Sequence, residues 1–205
     1  MSREENATLT LIHNAAKAEF MAKGFREASL RSIVRTAGVT TGAFYGYYNS
    51  KEELFAALVD EAYHAILNRY HRALYEFEEL PEEVQPEKMG TSSQAAMQEM
   101  LLYMFDHREE FLLLLQCAEG THYANMVDEM VEAEVEATHH YYQVLTKLGH
   151  EAPVVDERLE HILVTGMMNA YFEMILHDMP LDKARQYLSE LIDFYTAGWM
   201  KLMGT

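Results

Sequence analysis

Apolar residues recur every three to four positions along nearly the whole of this 205-residue chain. No segment alternates apolar and polar residues as a half-buried strand does. Leu11, Ala15, Ala18 and Ala22 form a first stripe that stops at Gly24, a residue suited to a helix C-terminus. Ser29 stands before Leu30, Ile33, Val34 and Ala37 and predicts a short second helix ended by Gly38. A third short helix is predicted over residues 40–47. Ser50 and Glu53 have capping-box spacing and open a long helix to about Leu80. Residues 80–93, with Pro81 and Pro86, read as the longest loop. Helices follow near 94–105, 108–118, 122–148, 155–177 and 181–203, separated by Asp106, Gly120-Thr121, Gly149 with Pro153, and Pro180. The pattern predicts an all-α chain, a small three-helix unit over residues 1–50 and a larger bundle over 51–205.

Two short helices joined at Gly38-Val39 have the form of a helix-turn-helix. At ~100° per residue, Phe44 and Tyr48 share a core-facing side of the second helix. Gly42, Ala43 and Gly46 gather on the opposite side, with Tyr45 and Tyr47 flanking it. That small-residue face can lie close to a groove floor while the phenol hydroxyls reach phosphates. Thr40 or Thr41 can cap the helix and offer a hydroxyl to a phosphate. Lys51 brings positive charge to a helix N-terminus that already attracts anions. The segment is expected to face double-stranded DNA.

Charge supports this by its distribution. The chain carries −17 in all, yet residues 1–51 hold seven Lys/Arg against four Glu, or +3, leaving −20 for the rest. Such asymmetry suggests two jobs in one chain. The single cysteine, Cys117, excludes an intrachain disulfide and fits a reducing compartment. The charged N-terminus lacks a signal-peptide core, and the aliphatic run at Phe111–Leu115 is far too short to span a membrane. A cytoplasmic protein with no membrane partner is expected.

The run G-F-x(3)-S-L-R-x-I-V-x(2)-A-G-V-T-x-G-x-F-Y-x-Y-Y-x-S-K-E-E-L, residues 24–54, resembles the N-terminal signature of the TetR family of transcriptional regulators. The resemblance implies a helix-turn-helix DNA-binding domain, residues 1–50, followed by a larger helical ligand-binding and dimerisation domain, residues 51–205. It implies a homodimeric regulator, usually a repressor, released from a palindromic operator by a small molecule. On the matching positions, Ser29, Thr40, Tyr45 and Lys51 would hold the phosphate backbone. Thr41, Gly42 and Tyr47 would contact bases or nearby backbone. Tyr47 stands where histidine is common, so Arg31 is the best placed residue for a bidentate guanine contact, with DNA shape supplying further specificity.

The helices at 155–177 and 181–203 are apolar on much of their circumference, as expected of helices buried on two sides. One side would meet a second subunit about a two-fold axis, using Gly166, Ala170, Phe194, Gly198 and Trp199. Apolar residues of the middle helices are the candidates for lining a ligand pocket: Met97, Leu101, Met104, Phe105, Phe111, Leu114, Cys117, Met126 and Met130, with Asn169 and Phe172 opposite. The effector would be apolar or cationic. His139 and His140, with Glu132, Glu136 and His161, invite a metal reading, but no CxxC or HExxH spacing backs it, and no metal or cofactor is expected. No Gly-rich phosphate loop or nucleophile elbow suggests an enzyme. The rival reading is an acidic all-α interaction or metal-sensing module that binds no operator.

Overall fold

Short polar side chains set four of the helix starts. In the computed structural model, which describes residues 3–151 and 153–204, the order is α1 (Arg3–Glu27), α2 (Leu30–Ala37), α3 (Thr41–Tyr45), α4 (Lys51–Glu78), α5 (Gln85–Asp106), α6 (Arg108–Cys117), a short 3-10 helix (His122–Asn125), α7 (Met126–Lys147), α8 (Glu157–Leu176) and α9 (Leu181–Met203). Among the described residues there is no strand. Ser29, Thr40 and Asp156 each accept a backbone N–H at the first turn of α2, α3 and α8. At α4 the Ser50 hydroxyl accepts from the Glu53 N–H at 3.1 Å. The return arm reaches one residue further back than in the usual box, because Glu53 accepts from the Asn49 N–H at 2.7 Å.

Two expectations change. The buried stripe of α1 is Ile12, Ala15, Ala16 and Phe20, while Leu11, Ala18 and Ala22 are exposed. The larger Ile12 and Phe20 fix the face, one residue round from the alanine stripe. Helix α5 begins at Gln85 rather than near residue 94. Pro86 falls in its first turn, where a missing N–H costs no helix bond. Gly90 lies within the helix against α9, where a Cβ would sit 3.3 Å from Thr196 Cγ2. Buried Gln85 also closes the turn before it, donating to the carbonyls of Glu78 and Leu80 at 3.2 and 3.0 Å.

The chain forms two compact units, residues 1–64 with 107–124, and residues 65–106 with 125–205. The first pairs α1 with α2 and α6, and α2 with α3. Its core holds Phe20, Phe25 and Phe55, whose ring centroids lie 5.0–6.0 Å apart. The second pairs α5 with α9, and α8 with α7 and α9. Met100, Leu101, Met168, Tyr171 and Leu188 are buried in it.

Candidate nucleic-acid interface and ligand cavity

The turn between α2 and α3 is fixed by Gly38, whose φ of 68° lies in the left-handed region that glycine enters without strain. Gly38 N–H donates to the Arg35 carbonyl at 3.2 Å, and Val39 N–H to that of Val34 at 3.2 Å. Thr40 then caps α3, its hydroxyl accepting from the Ala43 N–H at 3.1 Å. Phe44 and Tyr48 are buried, and Gly42, Ala43 and Gly46 are exposed, as the helical pattern predicts. Tyr45 is 54 % exposed beside that bare face. Tyr47 is half-buried and donates its hydroxyl to the Glu5 carbonyl at 3.2 Å. Thr41 is exposed at the first position of α3.

Positive charge is sorted by pairing. Lys17 binds Glu109 and Glu110, Lys23 binds Glu19, and Arg26 binds Glu119. Lys51 Nζ donates to the carbonyls of Phe25, Arg26 and Ala28 at 2.7–3.1 Å, so it closes the broken end of α1 past Gly24 (φ 70°). Among the described side chains of residues 5–51, the cations left without a partner are Arg31 and Arg35. They are exposed, four apart on α2. Arg35 joins the candidate site residues, because its spacing from Arg31 puts both on one face.

Glu19 holds α2 in place from behind. Its Oε1 accepts from Lys23 Nζ at 2.6 Å and from the Ser29 N–H at 3.2 Å, and its Oε2 accepts from the Ser32 hydroxyl at 2.9 Å. Lys23 first, then Ser32 and Ser29, hold its carboxyl below the ordinary range. Ser29 is exposed, but its hydroxyl is already engaged as the α2 cap at 3.4 Å.

The second unit holds a partly open cavity of about 140 Å³ bounded by α4, α5, α7, α8 and α9. Tyr70, Phe77, Tyr141, Tyr195 and Trp199 supply its rings, and Met97, Met100, Met168 and Met203 much of its remaining wall. Of the pocket residues expected from sequence, Met97 alone lines this cavity. Leu101, Met104, Phe111, Leu114, Cys117, Met126, Met130 and Phe172 are buried elsewhere, Phe105 is half-buried, and Asn169 is exposed. The cavity rings on α4 carry no local signal, because aromatic residues at helical spacing report burial and not open space. Glu134 also lines the cavity.

On α8 and α9, Phe194 is 71 % and Ile162 64 % exposed, with Gly198 open to space. Gly166 is exposed as well, and a Cβ there would sit 3.1 Å from the Tyr195 hydroxyl. Ala170 is half-buried, and Trp199 lines the cavity. His139 meets buried Glu160 at 2.7 Å, His140 meets Glu78 at 3.2 Å, and His161 lies beside Thr165. Among the described residues no three metal-ligating side chains gather at one point, and no helix is long and apolar enough to cross a membrane.

Residues 12–58 match the family model for bacterial regulatory proteins of the tetR family. The chain is 34 % identical over 103 residues to the HTH-type transcriptional regulator TtgR of Pseudomonas putida, 50 % of this chain and 43 % of that one. It is 45 % identical over 47 residues to the regulator YdgC of Bacillus subtilis (strain 168), 23 % of this chain and 24 % of that one. The chain therefore spans less than half the length of these curated relatives. A solved regulator from Aquifex aeolicus VF5 shares the fold over 91 % of this chain and 98 % of its own, with a TM-score of 0.55 at 19 % identity. A TetR-like regulator from Rhodococcus sp. RHA1 does so over 97 % of both chains, with a TM-score of 0.54 at 22 % identity.

Proposed function

We propose, for a chain that belongs to the tetR family of bacterial regulatory proteins, that it is a cytoplasmic transcriptional regulator rather than an enzyme. It binds double-stranded operator DNA as a homodimer and is released by a small molecule. The observation that carries the reading is the pair of unpartnered guanidinium groups, Arg31 and Arg35, on the helix preceding the bare Gly42-Ala43-Gly46 face. In a protein of net charge −17, two exposed cations kept out of ion pairs suit a polyanion.

Within this reading residues 1–50 form the DNA-binding domain and residues 51–205 the ligand-binding and dimerisation domain. Helix α3 enters the major groove with its small-residue face toward the bases. Thr41, Gly42 and Tyr47 lie against base edges or nearby backbone, and Arg31 reads a guanine. Ser29, Thr40, Tyr45 and Lys51 hold phosphates, Lys51 through the helix end it shapes as well as its charge. The exposed apolar side chains of α8 and α9 are covered by the same face of a second copy, an isologous contact that matches a palindromic operator. An apolar or cationic effector occupies the cavity of the second unit.

Selection of duplex fragments retained by the purified protein, followed by titration of the enriched sequence against random duplex across a salt series, tests the function. A sequence preference with a steep salt dependence is expected. Absence of duplex binding at every salt concentration would leave the chain an acidic interaction module instead.

A further inference from the structure

Glu134 is an anomaly among the cavity's walls. It stands on α7 among rings and methionines, and its hydrogen-bond partner is the Tyr70 hydroxyl, which donates to Oε2. Among the described residues, no lysine, arginine or histidine lines the cavity. The other polar groups there are Ser92, Ser93, Thr138, Thr196 and phenols, all neutral. Elsewhere in the same unit buried acid is matched to a cationic or amphoteric partner, as Glu160 is to His139. Glu134 is half-buried, and a carboxylate that gives up part of its water without an opposite charge is costly, so it is retained where something else supplies that charge.

We infer that the cavity takes a small lipophilic cation of about single-ring size, with the Glu134 carboxylate as its counter-charge and the surrounding rings as its walls. The inference rests on the effector-site reading above and names the chemical class of its ligand. The volume of about 140 Å³ sets the size, since an apolar protein cavity of about 150 Å³ accommodates benzene. Tyr70, Phe77, Tyr141, Tyr195 and Trp199 offer ring faces suited to a positive group as well as to an aromatic one. Glu134 selects among ligands that these walls would otherwise treat alike, because a neutral ligand of the same shape leaves its charge unmatched.

Burial raises the pKa of Glu134 against the lowering effect of the Tyr70 hydroxyl. The facing groups are phenols: Tyr70 from α4, Tyr141 from α7 and Tyr195 from α9, each pushed above the ordinary phenol range chiefly by burial. From α5 come methionines, serines and an alanine, and from α8 Met167 and Met168. Among the lining residues Glu134 is thus the group whose charge changes below the phenol range. Cation affinity rises with pH through the raised pKa of this carboxyl, while affinity for a neutral ligand does not rise with it.

Isothermal titration of the full chain with benzylammonium, benzyl alcohol and benzoate tests this, with Trp199 emission reporting whether the cavity is entered. Benzylammonium is expected to bind at least ~10-fold more tightly than benzyl alcohol, and benzoate more weakly than either. Glu134→Gln should erase the cation preference while binding benzyl alcohol at least as tightly as wild type does. Equal wild-type affinity for benzylammonium and benzyl alcohol would overturn the cation assignment and leave the effector site standing. Failure of all three to change Trp199 emission would overturn the effector site itself. The wild-type comparison and its pH series decide the matter even if Glu134→Gln unfolds.

Discussion

A charged side chain in this protein is defined by what already holds it. Among the described residues Arg31 and Arg35 have no partner, so their loss should be felt on DNA and not in folding. Arg31→Ala should weaken binding to the preferred duplex by ~1–3 kcal/mol and to random duplex much less. Equal losses on both would show that Arg31 reads no base. Lys51 is the opposite case, because its ammonium closes three backbone carbonyls. Lys51→Met should cost ~1–3 kcal/mol in denaturant titration, in addition to an equal loss on every duplex. Glu19 makes a pH prediction. Its folded pKa lies below its ordinary value of 4.5, so its stabilisation is present above that value and is lost as pH falls through the folded pKa. The stability gap between wild type and Glu19→Gln should therefore be open at pH 7 and close in acid. A gap that persists at pH 2 would mean that Glu19 acts through packing alone. At this scale the exposed face of Gly42, Ala43, Tyr45 and Gly46 was legible in the sequence, because helical spacing, glycines and caps obey local rules. It hid Glu134, which sits in the run MVDEMVEAEVEA and differs from its acidic neighbours only in what the fold brings near it.

Helices follow the same division between local and distant causes. Their existence was legible because capping and 3.6-residue periodicity act within a turn or two, as at Ser29-Leu30 and Ser50-Lys51. The start of α5 was not, because Pro86 and Gly90 look like breakers until α9 is seen packed against them. The expected pocket residues other than Met97 fall outside the cavity for a related reason. An apolar stripe reports burial, but whether it faces packed neighbours or open space depends on helices far along the chain. The α2–α3 turn gives a direct test of a local cause. Gly38→Ala forces a Cβ into left-handed backbone, although no atom lies within 4 Å of it. The expected cost is ~1 kcal/mol from conformation alone, measured as a lowered denaturation midpoint with an unchanged slope. An unchanged midpoint would mean that the turn relaxes to another shape.

For the molecule as a whole, assembly and response are linked by geometry. In the proposed regulator two recognition helices enter successive major grooves ~34–36 Å apart, so operator affinity would require the dimer. Gly198→Trp should fold normally, since the site is open within the chain, yet sediment as a monomer and lose the two-half-site operator. A stable wild-type monomer at micromolar concentration would rule out the α8–α9 interface. The proposed ligand response would run through α4, a single helix that begins with Lys51 and carries Tyr70, Ala73, Leu74 and Phe77 into the cavity wall. A ligand changes operator affinity only by the difference between its affinities for the two spacings of the recognition helices. Couplings of this kind are typically about 5- to 150-fold, and operator titrations at saturating benzylammonium should show a loss within that range. Ala137→Phe fills the cavity from α7 with one more ring. It should bind no benzylammonium and hold a fixed operator affinity whether or not the compound is present. A wild type that binds the compound tightly while its operator affinity stays unchanged would separate the cavity from regulation, whatever the cavity holds.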